Sequence, residues 1–186
     1  MTSATRRGPA LRAGARIAAL AGCGSDRRLD LAQPTGPAIR AYLRQVEPIR
    51  LAVNRLLDRA DPILRDARLG RSSPAGASRR MGMLERRFAA YAVDIAAIAP
   101  AAPSLRRLHA TYAHTYILED AYLSALAAGL ADRQLDRLPD TQATQRAAII
   151  EWRTGLAVLA RRARVALPAD LDQAGRGEIA PAPGGS

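Results

Sequence analysis

The sequence predicts an all-α protein: an antiparallel four-helix bundle with a short extra helix between its first two helices. Apolar residues recur at three- and four-residue spacing in four long stretches. No segment shows the period-two alternation of a strand, and the connections are short and marked by Pro and Gly. At 186 residues and 48% hydrophobic content, the chain can build one domain with a real core. Aromatics make up only 4%, so Ala, Leu, Ile and Val must supply most of that core.

The first long helix is expected from Pro37, a residue suited to the first helical turn. Ile39, Tyr42, Leu43, Val46, Ile49, Val53, Leu56 and Leu57 form its apolar stripe. Arg50 falls inside that stripe, whereas Pro48 points away from it and should bend the helix. Asp61-Pro62 opens the short extra helix, which Gly70 closes. The second long helix starts between Pro74 and Arg79 and runs to about Ile98, with Met81, Leu84, Phe88, Tyr91, Ile95 and Ile98 inward. Pro100 and Pro103 bracket the turn into the third.

That third helix, residues 105–130, organises the rest. It is apolar on nearly every side, as a helix enclosed by others must be. Leu105, Leu108, Tyr112, Tyr116, Leu123, Leu126 and Leu130 share one stripe with Glu119 in its middle, and Asp120 lies at the edge near His109 and Tyr116. Gly129 is expected to help end the helix, with a turn or two of helix following between Ala131 and Leu138. Asp140 is the expected N-cap of the last helix, which runs to about Leu167. Ile149, Trp152, Leu156, Leu159 and Ala163 line its inner face, with Arg153 beside them. The bundle thus occupies residues 37–167, and residues 168–186, ending in APAPGGS, read as a disordered tail.

A carboxylate on an apolar stripe is costly unless it is paired. Arg50 and Arg153 are the natural counter-charges for Glu119 and Asp120, because a guanidinium stays charged when buried and grips a carboxylate with two hydrogen bonds. Together with His109, Tyr112 and Tyr116 these residues form a predicted buried polar cluster. Its bland reading is a network that fixes helix register. Its sharper reading is a small-molecule or hydrolytic site using Glu119 and Asp120.

Metal and cofactor chemistry finds no support in the motifs. A di-iron bundle needs Glu-x-x-His pairs, but Arg50, Phe88, Tyr122 and Thr154 stand three residues after the four helical glutamates. His109 and His114 are five apart, about 140° round a helix, and cannot share a metal on a regular one. Haem-attachment, zinc, phosphate-loop and nucleophile-elbow signatures are also missing, so no cofactor, metal or catalytic residue is assigned. His114 faces the other side of its helix, towards Ile117, Leu118 and Ala121.

The first residues, MTSATRRGPALRAGARIAALAGC, place arginines ahead of a small apolar run from Ile17 to Gly22 and then the only cysteine. Leu20-Ala21-Gly22-Cys23 resembles the lipobox of a bacterial lipoprotein: an aliphatic residue, two small ones and the lipidated cysteine. The resemblance implies a signal peptide at 1–22, a tether at 23–36 and an acylated Cys23 holding the protein on the outer face of the cytoplasmic membrane. The apolar run is six residues, against the usual 7–15 of a signal core. An unprocessed chain would stay cytoplasmic. The helical domain itself resembles no characterised family.

Net charge is +11, and four of the 28 arginines precede Cys23, which leaves +7 for a chain cleaved there. This charge looks distributed along helices with acids between, as on a solvated surface. The expected function is that of a lipid-anchored, non-enzymatic binding or accessory module of the cell envelope. Its expected partners are the membrane through Cys23, and an envelope protein or an anionic surface. Nucleic acid is disfavoured because no face combines arginines with aromatics for base stacking.

Overall fold

A computed structural model describes residues 33–136 and 138–172 of the chain. The expected signal peptide, Cys23, most of the tether and residues 173–186 lie outside the described residues. Within them the protein is all-helical, with no strand. Six helices follow in order: α1 (Gly36–Leu57), α2 (Ala60–Arg68), α3 (Pro74–Ala96), α4 (Pro103–Asp132), α5 (Gln142–Arg162) and α6 (Ala169–Asp172).

The starts of α1 and α3 follow one rule. Thr35 and Ser73 sit in extended backbone and accept from the N–H of Ala38 and Gly76, while a proline fills the first turn. α1 runs unbroken through Pro48, whose side chain is exposed. α2 ends at a glycine with φ +66°.

α4 is the central element at 30 residues, and it packs on α3 along one side and on α5 along another. α1 and α2 pack on α3, and α1 also meets α5. The shared core consists of the stripes just described. Ile39, Tyr42, Val46, Met81, Phe88, Ile95, Leu105, Leu123, Trp152 and Leu156 are all essentially sealed from solvent. Gly155 allows the close approach of α5 to α4: a Cβ there would lie 2.6 Å from a methyl of Leu108. A small residue at the crossing is what lets the large one opposite reach the backbone.

Three expected boundaries are corrected. The described residues between Asp132 and Leu138 form no further helix. There the chain turns with Arg133 in the left-handed region (φ 56°), and the N–H of Gln134 reaches back to the carbonyl of Gly129 at 2.9 Å. Gly129 therefore ends the helix by making room, not by its own φ: an added Cβ would sit 2.7 Å from the carbonyl oxygen of Gln134. α5 begins at Gln142 behind Thr141, not behind Asp140, and Thr141 makes no side-chain cap. It ends at Arg162, five residues short of Leu167, where Arg164 turns left-handed (φ 55°) and Val165 bonds back to Ala160.

The fourth correction has consequences for the core. Residues 169–172, expected in a disordered tail, form α6, and Leu171 is 1% exposed among the buried side chains. A leucine four residues after Leu167 lets this last turn return to the helices it left.

Candidate functional site

Arg50, His109, Tyr112, Tyr116 and Glu119 are buried, while Asp120 and Arg153 are partly exposed. The structure divides these residues among separate contacts instead of uniting them in one ion-paired cluster.

The first group is a hydrogen-bonded chain that crosses the four long helices. The indole N–H of Trp152 (α5) donates to the hydroxyl of Tyr42 (α1) at 2.9 Å. That hydroxyl lies 3.1 Å from Nδ1 of His109 (α4), and Nε2 of the same ring lies 2.9 Å from the carbonyl of Ile95 (α3). A carbonyl can only accept, so Nε2 carries the proton and Nδ1 accepts from Tyr42. Every link is thereby satisfied with the imidazole neutral. Burial lowers the His109 pKa from its ordinary 6.5, opposed by the bond to Ile95. Burial also raises the Tyr42 hydroxyl well above its ordinary value, against the donated bond from Trp152.

Around this chain the aromatics interlock. Tyr112 stacks on Trp152 at 4.0 Å between ring centroids, and Tyr116 stacks on Phe88 at 5.5 Å. The two tyrosines meet edge-to-face, with their hydroxyls 3.1 Å apart. Burial, above all, holds both phenols neutral and raises their pKa values.

Arg50 is paired, but with carboxylates that were not anticipated. Its Nε and Nη2 fork onto Glu47, one turn earlier, at 3.1 and 2.8 Å, and its Nη1 meets Asp170 of α6 at 2.6 Å. Burial works to lower the Arg50 pKa, yet the bonds from Glu47 and Asp170 leave it raised. Arg153 also turns to α6, donating to the backbone carbonyl of Asp170, while its Nε is buried without a partner among the described residues. The expected pairing of Glu119 or Asp120 with Arg50 or Arg153 is therefore corrected. Both arginines hold the C-terminal turn.

Glu119 accepts from the side-chain amide of Gln145 (α5) at 2.7 Å. Neither Glu119 nor Asp120 forms an ion pair among the described residues. Burial raises the Glu119 pKa above the ordinary 4.5, offset in part by bonds from Gln145 and Gln142. Asp120 keeps one buried oxygen, Oδ1, with no hydrogen-bond partner among the described residues. His114 is exposed.

Two partners escaped sequence reasoning, and each left a signal. Gln145 precedes Ile149 and Trp152 by four and seven residues, so the inner stripe of α5 extends one turn back to it. Asp170 was hidden by the Pro- and Gly-rich composition of the residues that follow it. Among the described residues, no group of three or more His, Cys, Asp or Glu is placed to hold a metal ion. No described helix is long and apolar enough to cross a membrane. Comparison with protein-family models, with curated proteins and with solved structures finds no match.

Proposed function

We propose that this chain is a lipid-anchored, extracytoplasmic helical protein that serves as a non-enzymatic binding or accessory module in the bacterial cell envelope. The observation that carries this reading is the Leu20-Ala21-Gly22-Cys23 run behind an arginine-bearing start. The four long helices α1, α3, α4 and α5 would act as an antiparallel four-helix bundle, with α2 as the extra helix between the first two. Such a body suits display on a tether, and cleavage before Cys23 followed by acylation supplies the anchor.

A non-enzymatic role is supported by how the polar groups are used. His109, Tyr42, Trp152 and the Ile95 carbonyl satisfy one another across four helices, and Arg50 has two carboxylates of its own. The protons of Trp152, Tyr42 and His109 and the free ring nitrogen of His109 are thus engaged with protein partners and not presented to a substrate.

Growth on labelled fatty acid tests the anchor directly. The wild-type chain should take up label and begin at Cys23 by intact mass, and Cys23→Ser should remain an unlabelled precursor. An unlabelled wild-type protein that still begins within residues 1–22 would overturn the reading.

One observation favours a second reading, a small-molecule or hydrolytic site. Among the described residues, Glu119 meets no cation and one buried oxygen of Asp120 has no partner. On that reading Asp120→Asn would abolish ligand binding or turnover in a correctly folded, acylated protein. On the accessory-module reading it would leave the cellular role intact.

A further inference from the structure

The basic charge is not spread evenly after all. Residues 55–87 contain nine arginines against four acids, so the end of α1, all of α2 and the first half of α3 form a positive region. Its densest part is one side of α3. At about 100° per residue, Arg79, Arg80, Met83, Arg86 and Arg87 fall within an arc of about 120°, with Glu85 on another side. Met83 is 52% exposed in the middle of these arginines. Three of the four are exposed, and Arg80 is half-exposed and only loosely held by Asp66 at 3.4 Å.

A groove runs along each flank of this face. One, of about 210 Å³, has Leu56, Ile63, Met83 and Leu84 as an apolar floor, with Arg59, Arg80 and Arg87 at its rim. The other, of about 800 Å³, lies between α3 and Ala127–Ala128 of α4 and carries Arg79, Arg80 and Arg86 against the single acid Glu85. Exposed cations around an exposed thioether, above an apolar floor, match a surface whose outer layer is anionic and whose next layer is hydrocarbon.

We propose that the Arg–Met face of α3, with Arg59 at the start of α2, docks on an anionic lipid surface. This rests on the reading of the chain as membrane-anchored, and it names the surface against which the helical body lies. The arginines would meet lipid phosphates while Met83 enters the headgroup layer. Aromatic side chains argue for lipid over nucleic acid. Five of the seven aromatics, Tyr42, Phe88, Tyr112, Tyr116 and Trp152, are buried, and Tyr91 and Tyr122 are only partly exposed, which leaves little ring surface on which bases could stack.

The test uses the full-length chain with Cys23→Ser, so that no acyl chain contributes. This protein should sediment with phosphatidylglycerol-rich vesicles, release at high salt and ignore phosphatidylcholine vesicles. One arginine near such a surface is worth about 1 kcal/mol, roughly fivefold in affinity. Arg80→Gln with Arg87→Gln should therefore weaken binding at least tenfold, and Met83→Ser severalfold. Arg161→Gln with Arg162→Gln, which removes the same charge at the end of α5, should change it little. Equal losses from both double variants, binding to both vesicle types alike, or no vesicle binding would each overturn the proposal. So would duplex DNA that binds more tightly than the vesicles and loses affinity with the α3 variants, since the face would then be a nucleic-acid surface. Failure here with normal acylation of the wild type would leave the anchor standing, and the reverse would leave the face.

Discussion

Glu119 is the residue whose chemistry departs furthest from its surroundings, and its behaviour with pH follows from burial. Its folded-state pKa is raised, so the folded chain holds the carboxyl proton more tightly than the unfolded chain does. The associated stability is present below the ordinary value of 4.5 and is lost as pH rises through the folded value. Glu119→Gln removes the charge and keeps an acceptor for Gln145. It should stabilise the protein at pH 7 by roughly 1 kcal/mol, the scale of one hydrogen-bond adjustment, and the gain should vanish near pH 4. Thermal unfolding of both proteins across that range checks this, and a loss at pH 7 would mean that the ionised form is wanted. His109 has the opposite sign. Its pKa is lowered from 6.5, so its contribution is full above that value and is lost as pH falls through the folded pKa. His109→Gln can still donate to Ile95 and accept from Tyr42. The drop in stability below pH 6.5 should therefore flatten in this variant, seen as the difference between paired urea titrations. The sequence pointed to both residues because each is polar on an apolar stripe. It did not reveal their partners, since Gln145 is neutral and Tyr42 reads as one more apolar contact.

At the scale of the element, the helices were legible, and so were the ends marked by Pro37, Pro74 and Gly70, but the end of α4 and both ends of α5 were not. Periodicity records which face is buried, and it placed all four long helices, while Asp61-Pro62 and Gly70 marked α2. Ends depend instead on where the backbone can turn, which composition states only weakly. α4 shows the difference. A glycine suggested its end, but the left-handed turn falls on Arg133, four residues later. A left-handed non-glycine residue costs about 1–2 kcal/mol, reduced by the extra freedom that glycine gives the unfolded chain. Arg133→Gly should therefore raise stability by about 0.5–1 kcal/mol. Gly129→Ala should do the reverse, by about 1–3 kcal/mol, because the atom its Cβ would meet is the backbone oxygen of Gln134 and not a movable side chain. Denaturant midpoints of the two variants should bracket the wild type. Equal midpoints would mean that the turn after α4 can shift to relieve either change.

At the scale of the whole molecule, sequence reasoning missed what depends on residues far apart in the chain. The run of arginines at residues 55–87 stands in the sequence, but the grooves that flank it exist only once α3 packs beside α2 and α4. Asp170 matters only because α6 returns to α1, 120 residues earlier along the chain, where it meets Arg50. The contact of α6 has two components of different strength. The Asp170 side chain is 53% exposed, so its ion pair with Arg50 is screened and worth about 0.2–1 kcal/mol. Leu171 is 1% exposed in the apolar core, and truncating such a side chain costs about 2–5 kcal/mol. Burial should thus dominate over charge in holding α6. Leu171→Ala is expected to destabilise the whole protein by at least about 2 kcal/mol, several times the effect of Asp170→Ala. Arg50 would keep its two bonds to Glu47 in both variants. Urea unfolding followed by Trp152 fluorescence reads both, because the indole lies in the same core that α6 covers. If Leu171→Ala unfolds like the wild type while Asp170→Ala does not, the C-terminal turn is held by its charge. The core would then be complete without it.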